Sequence, residues 1–187
     1  DIIIVALGEK GDMAGEAASR GNLNLPGVQT QLLKKLYATG KTVVLVLMNG
    51  RPLALEEELQ YCDAMVEAWQ LGTSAGDAIT DVLTGKYNPS GKLPVTFHRV
   101  TGQVPIYYAA KNTGRPADEK GRYTSRYLDI PFTPLFPFGF GLSYTTFEYS
   151  DIRVSKSEIG MNEEITITCK IKNSGKVEGD EIVQFYV

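Results

Sequence analysis

The first half of the chain alternates between apolar runs and segments whose apolar residues recur at helical spacing. The apolar runs are rich in Val, Leu and Ile, as buried parallel strands are. Strands are predicted at residues 2–7, 42–48 and 64–69. Helices are predicted at residues 26–39, 54–60 and 74–83. This alternation predicts an α/β fold with a doubly wound, mostly parallel sheet.

The pattern changes after residue 85, where Pro, Gly, Tyr and Asn become frequent. A short edge strand is predicted at 95–97, and the aromatic stretch 102–144 shows little periodicity, which is typical of functional or binding loops. Polar and apolar residues then alternate again. Antiparallel strands are predicted at residues 147–154, 165–171 and 182–187. Because a complete β-sandwich has about seven strands, we expect the chain to be a fragment that stops inside a second domain.

Composition and charge exclude several classes of function. The net charge is −3, so the chain lacks the basic surface that nucleic acids or anionic membranes attract. No apolar run approaches the ~20 residues that span a bilayer. Cys62 and Cys169 lie far apart and share no metal-ligand spacing, which predicts two buried free thiols. We expect no nucleic-acid partner, no membrane span, no metal and no cofactor.

The most informative segment is the polar loop at residues 8–27, which follows the first predicted strand. Loops at the carboxyl ends of strands carry the chemistry of open α/β folds. The loop contains three acids, Glu9, Asp12 and Glu16. Glu16 lies between a glycine and an alanine, so no bulky neighbour in sequence shields it from a ligand. It is the strongest candidate for a reactive group in the chain.

The other polar candidates have structural interpretations. Glu9 and Asp12 are interpreted as solvated or helix-capping acids, since acids on polar loops are usually exposed. Arg20 is expected to fix the loop by pairing with an acid. Trp69 ends an apolar strand, which favours a core position over stacking on a sugar. His98, the only histidine, is expected to have neither a catalytic nor a metal-binding role.

Six blocks of sequence, in order along the chain, resemble one known family. They lie at residues 15–20 (GEAASR), 23–27 (LNLPG), 72–79, 81–94, 102–107 and 134–144. Together they resemble glycoside hydrolase family 3, closest to its bacterial periplasmic or secreted β-glucosidases. The resemblance implies the family's C-terminal domain, an α/β sandwich, at residues 1–146. It also implies an incomplete fibronectin-III-like domain, a truncated antiparallel β-sandwich, at residues 147–187.

The resemblance implies a retaining, exo-acting β-glucosidase that hydrolyses terminal β-D-glucosyl or related residues of glucosides and oligosaccharides. In that family an N-terminal TIM-type barrel supplies an aspartate nucleophile, and the α/β domain lends a glutamate as general acid/base. Glu16 matches that glutamate. Because retaining glycosidases need two carboxyl groups about 5–5.5 Å apart, the chain without its barrel is expected to be inactive.

The family pattern leaves two points open. Most sugar contacts of the family lie in the barrel, so no substrate-binding residue of this chain is assigned. A non-catalytic carbohydrate-binding or scaffold domain of the same fold is the alternative function. Glu16 discriminates between them, because a scaffold has no need of an acid between small residues on the ligand-facing loop. The expected location is periplasmic or secreted.

Overall fold

The computed structural model describes residues 1–186 of the chain. These residues divide into two compact units. The first unit comprises Asp1–Gly76 and Leu93–Phe140, and the second comprises Asp77–Lys92 and residues 141–186. Each unit contains one β-sheet. The expected domain boundary between residues 146 and 147 stays a prediction.

A three-stranded parallel sheet forms the centre of the first unit. Its strands are β1 (Ile2–Gly8), β2 (Thr42–Met48) and β3 (Ala64–Glu67), in the spatial order β1-β2-β3. This confirms the prediction of parallel strands. The order of these three strands does not reverse, whereas the expected doubly wound sheet requires a reversal. The central strand β2 is the most deeply buried, in keeping with its continuous Val and Leu sequence.

Two α-helices follow the predicted pattern. The first, α1 (Gln29–Tyr37), buries Leu33 against the sheet, and the second is α2 (Ala75–Leu83). The helix expected at 54–60 is wrong, because the described chain forms only a 3-10 turn at Glu58–Tyr61. Leu53, Ala54 and Leu55 are all buried, which an extended segment in the core allows and an amphipathic surface helix does not. Within residues 1–186, no helix has the length and apolar character needed to cross a membrane.

Aromatic packing joins the long irregular stretch to the core of the first unit. The Trp69 ring lies 5.6 Å from the Phe97 ring between centroids, so Trp69 is a core residue as predicted. The edge strand expected at 95–97 is reduced to a single bridge between Phe97 and Phe136. Gln103 is buried and donates to the carbonyl oxygen of Pro131. Phe136 therefore joins the irregular stretch to the core, whereas the Gln103 hydrogen bond joins two parts of the stretch itself.

The second unit contains an antiparallel pair of strands, β4 (Phe147–Val154) and β5 (Ile167–Asn173). Both strands were predicted, the second with an earlier start. The strand predicted at 182–187 is wrong for residues 182–186, which are not in a strand, while Val187 lies outside the described residues. Ile182 and Phe185 are 47% and 56% exposed. A strand needs a paired neighbour as well as an alternating sequence.

Candidate active-site loop

Glu16 lies on a tight turn between β1 and α1. The Ala18 N–H donates to the carbonyl oxygen of Gly15 over 3.3 Å, which closes the turn around Glu16. Ala17 has a φ of 58°, a left-handed conformation that costs a non-glycine residue about 1–2 kcal/mol. The Glu16 side chain is exposed, and it makes no hydrogen bond or ion pair within residues 1–186. The turn therefore presents a solvated carboxyl group.

Glu9 is buried rather than solvated, which corrects the sequence interpretation. Its side chain has no exposed surface, and its Oε1 lies 2.6 Å from Nη1 of Arg20 and 3.2 Å from Nε of Arg51. The backbone N–H of Gly50 donates to its Oε2 over 3.3 Å. A buried carboxylate is tolerated only when such partners offset its lost hydration. Arg20 pairs with an acid of the loop, as predicted.

Arg51 also contacts the loop, which was not predicted from its sequence context. Its Nη2 donates to the carbonyl oxygen of Met13 and, over 2.7 Å, to that of Ala18. Arg51 follows β2, the neighbour of β1, and the carboxyl ends of parallel strands meet at one edge of a sheet. The position of Arg51 just after a predicted strand that neighbours β1 is the sequence feature that could have predicted its contact with the loop. We call Glu9, Arg20 and Arg51 the loop clamp.

The loop also packs directly on the backbone beyond β2. A Cβ atom added to Gly50 would lie 2.5 Å from Cβ of Ala14 and 3.3 Å from Nε2 of Gln70. A side chain at position 50 is therefore incompatible with the observed position of the loop.

Asp12 is exposed in the 3-10 turn Gly11–Met13, in agreement with its expected solvation, and it caps no helix.

A further acid, Glu67, lies at the end of β3 and was also missed. The Trp69 N–H donates to its Oε1 over 2.9 Å, while Glu67 Oε2 and the neighbouring Asn49 Oδ1 are buried without a partner among the described residues. Burial raises the pKa of Glu67 to about 7, and the Trp69 N–H and the Asn49 side chain oppose that rise only in part. Oε2 of Glu67 is thus shielded from solvent, in contrast to the exposed Glu16 side chain.

The remaining candidates take no part in this loop. His98 is buried, and burial lowers the pKa of its imidazole. Cys62 and Cys169 are unpaired and only partly buried. The residues that the structure describes contain no group of three His, Cys, Asp or Glu side chains able to hold a metal ion. Glu16 is thus the one sequence-predicted catalytic residue, and the structure places it on an exposed turn.

The fold and the loop define an α/β domain that presents an acid at the carboxyl edge of a parallel sheet. The model of the glycosyl hydrolase family 3 C-terminal domain matches residues 1–144. The chain therefore belongs to glycosyl hydrolase family 3, as its sequence blocks implied.

Individual relatives agree with this assignment. The chain is 50% identical to a periplasmic beta-glucosidase of Salmonella typhimurium, over 100% of this chain and 25% of that protein. It is 42% identical to a beta-xylosidase of Formosa agariphila, again over 100% of this chain and 25% of that protein. A crystal structure of beta-glucosidase from Listeria innocua in complex with glucose superposes with a TM-score of 0.90. It shares 43% identity and covers 96% of this chain and 25% of that one. The chain thus spans about a quarter of the length of these relatives.

Proposed function

We propose that this chain supplies the general acid/base of a retaining, exo-acting β-glucosidase, and that Glu16 is that residue. The observation that carries the proposal is the exposed Glu16 carboxyl group on a turn held by the loop clamp. Among the acids of this loop, Glu9 is committed to two arginines and is not available to a substrate. Family membership and the match of residues 15–20 to the family's acid/base block support Glu16 over Asp12.

In the proposed mechanism, Glu16 acts twice. It first protonates the glycosidic oxygen while a nucleophilic carboxylate attacks the anomeric carbon, and it then removes a proton from the water that hydrolyses the glycosyl-enzyme. The nucleophile belongs to an N-terminal TIM-type barrel of the same protein, outside this chain. Retention requires the two carboxyl groups to lie about 5–5.5 Å apart, so the barrel has to meet the chain at the Glu16 turn.

The proposed substrates are small β-glucosides and oligosaccharides with a terminal β-D-glucosyl residue. The names of the relatives support this class: they are beta-glucosidases and beta-xylosidases, and one solved structure contains laminaribiose. A periplasmic or secreted location is proposed from the periplasmic Salmonella relative. The antiparallel pair β4 and β5 supports the proposal that residues 147–187 begin a fibronectin-III-like domain.

The proposal is tested by replacing Glu16 in the full-length enzyme that contains this chain. The Glu16→Ala variant is expected to lose about 10²–10⁴-fold in kcat/KM on an unactivated β-linked glucose disaccharide, whose leaving group needs a proton. The same variant should form the glycosyl-enzyme from a dinitrophenyl β-glucoside at a nearly normal rate, because that leaving group departs as an anion. Equal losses on both substrates, or no loss on either, would contradict the proposal. An Asp12→Ala variant serves as the control and should resemble the wild type.

A further inference from the structure

One arginine bonds the backbone on both sides of Glu16. Arg51 Nη2 donates to the carbonyl oxygens of Met13 and Ala18, and these residues bracket the Glu16 turn. Arg51 itself lies beyond the end of β2, not in the loop. Arg51 therefore couples the position of the turn to the central strand of the sheet.

The guanidinium of Arg51 is held in turn by Glu9. Its Nε lies 3.2 Å from Oε1 of Glu9, an ion pair without a hydrogen bond among the described residues. The same oxygen accepts a hydrogen bond from Arg20 Nη1. Arg20 Nη2 donates to the carbonyl oxygen of Asn24 over 3.0 Å. The Glu9 carboxylate, at the start of the loop, thus contacts two other segments: the part of the loop that contains Arg20 and the segment after β2 that contains Arg51. The Arg51 side chain is only 22% exposed. Removing its positive charge would leave the buried Glu9 carboxylate with one fewer partner to offset its lost hydration.

The turn itself needs this external support. Ala17 is held with a positive φ, and such a conformation persists only when the surroundings impose it. The hydrogen bond within the turn, from Ala18 N to Gly15 O, is long at 3.3 Å. The Arg51 bond to the Ala18 carbonyl is shorter, at 2.7 Å. The backbone around Glu16 is therefore fixed from outside by Arg51.

We propose that Arg51, held by Glu9, is a positioning residue for the acid/base carboxyl of Glu16. This inference rests on the function proposed for Glu16. Arg51 hydrogen-bonds two backbone carbonyls and forms an ion pair with a buried carboxylate, and it acts on the reaction only by fixing the position of the turn. Displacing a catalytic group by about 1 Å can cost 10²-fold in rate, so the loss of these bonds should appear in the proton-transfer step.

The first test compares substrates in the full-length enzyme carrying Arg51→Met or Arg51→Lys. Arg51→Met is expected to lower kcat on an unactivated glucose disaccharide by about 10–10²-fold and to leave KM within about twofold. The rate of glycosyl-enzyme formation from a dinitrophenyl β-glucoside should stay close to the wild-type rate. Arg51→Lys keeps the charge but lacks the planar fork that spans two carbonyls and a carboxylate, so it should rescue only part of the loss.

The second test is a double-mutant cycle with Glu16→Ala. If Arg51 acts only through Glu16, the Glu16→Ala/Arg51→Met enzyme should be no slower on the disaccharide than Glu16→Ala alone. Losses that multiply would overturn the proposal, because they would show that Arg51 has an effect independent of Glu16. Arg99→Met is the matched control. Arg99 also pairs with a carboxylate, Glu56, over 2.6 Å and donates to a backbone carbonyl, but it makes no bond to residues 9–20.

Other outcomes separate the two proposals. If Glu16→Ala affects both substrates equally, the function proposed for Glu16 fails. If Glu16→Ala is selective for the unactivated substrate while Arg51→Met and Arg51→Lys affect both substrates equally, the function stands and the positioning role is overturned. If Arg51→Met does not fold, Arg51→Lys and Glu9→Gln test the positioning role instead. For each variant, the rate on the disaccharide is compared with the rate on the dinitrophenyl β-glucoside.

Discussion

The first residue of α1 hydrogen-bonds both backbone groups of the last residue of β1. Gln29 Oε1 accepts from the Gly8 N–H over 2.7 Å, and Gln29 Nε2 donates to the Gly8 carbonyl oxygen over 2.8 Å. The two ends of the loop that carries Glu16 are thereby joined. Gly8 has a φ of 143°, and a Cβ atom there would lie 1.8 Å from the carbonyl oxygen of Met48, so only glycine fits this junction.

Removing the Gln29 amide should open the loop locally. Gln29→Met keeps the size of the side chain but leaves the partly buried Gly8 N–H and C=O without these partners, at a cost of about 1–3 kcal/mol. Faster amide hydrogen exchange at residues 8–20 is expected, with β2 unchanged. Gln60→Met is the control, since the Gln60 amide is exposed and makes only a 3.5 Å contact with Glu56. Unchanged exchange in the loop of Gln29→Met would contradict this role.

A side chain at position 50 should displace the loop. Gly50→Ala places a Cβ atom 2.5 Å from Cβ of Ala14, so the loop has to move. In the full-length enzyme we expect a loss of roughly 10-fold or more on an unactivated disaccharide. Gly21→Ala, in the same loop but with open space around its Cβ, should leave the rate unchanged. Wild-type rates for Gly50→Ala would show that the packing of Ala14 on Gly50 does not position the loop.

Glu67 should make the stability of the chain depend on pH. Its pKa is raised from 4.5 to about 7, so between these values the unfolded state loses a proton that the folded state keeps. Stability therefore falls as the pH rises from about 4.5 to about 7, by up to about 3 kcal/mol. Glu67→Gln should be more stable than the wild type at pH 8 and similar to it at pH 4.

Urea denaturation of the chain at several pH values measures this effect. The exposed Glu119 offers a control, since Glu119→Gln should keep the pH dependence of the wild type. If Glu67→Gln retains the same pH dependence, Glu67 is not the group responsible.

The chain by itself should have no glycosidase activity. Retaining hydrolysis needs two reactive carboxyl groups, and the proposed nucleophile lies outside this chain. Purified chain assayed with an aryl β-glucoside should give the rate of the buffer alone. Turnover that disappears in Glu16→Gln would contradict the two-domain mechanism.

Features that depend on local sequence patterns were predicted, whereas features that depend on contacts between distant residues were missed. Strand β2 and helix α1 were predicted because Val-Leu runs and helical leucine spacing are local signals. The burial of Glu9 was missed because it depends on Arg51, which is distant in sequence and reaches Glu9 only through the pairing of β1 with β2. The strand expected at 182–187 failed in its described part for a similar reason, since pairing depends on a partner strand.

The candidate site shows the same division. Glu16 was found from its neighbours in sequence and from the resemblance to a family. Of the loop clamp that holds its turn, the sequence predicted only that Arg20 pairs with an acid. Glu67 was missed because its burial at the end of β3 is a property of the folded sheet.

The central claim, that Glu16 is the acid/base, is tested most directly by the product that Glu16→Ala forms in azide. Hydrolysis of the glycosyl-enzyme should stall without the base, and azide, which needs no deprotonation, should enter the space left by the carboxyl group. With a dinitrophenyl β-glucoside as substrate, we expect azide to restore turnover and NMR to identify β-glucosyl azide. Asp12→Ala should form only glucose. Failure of azide to restore turnover, or formation of the α-azide, would contradict the assignment of Glu16.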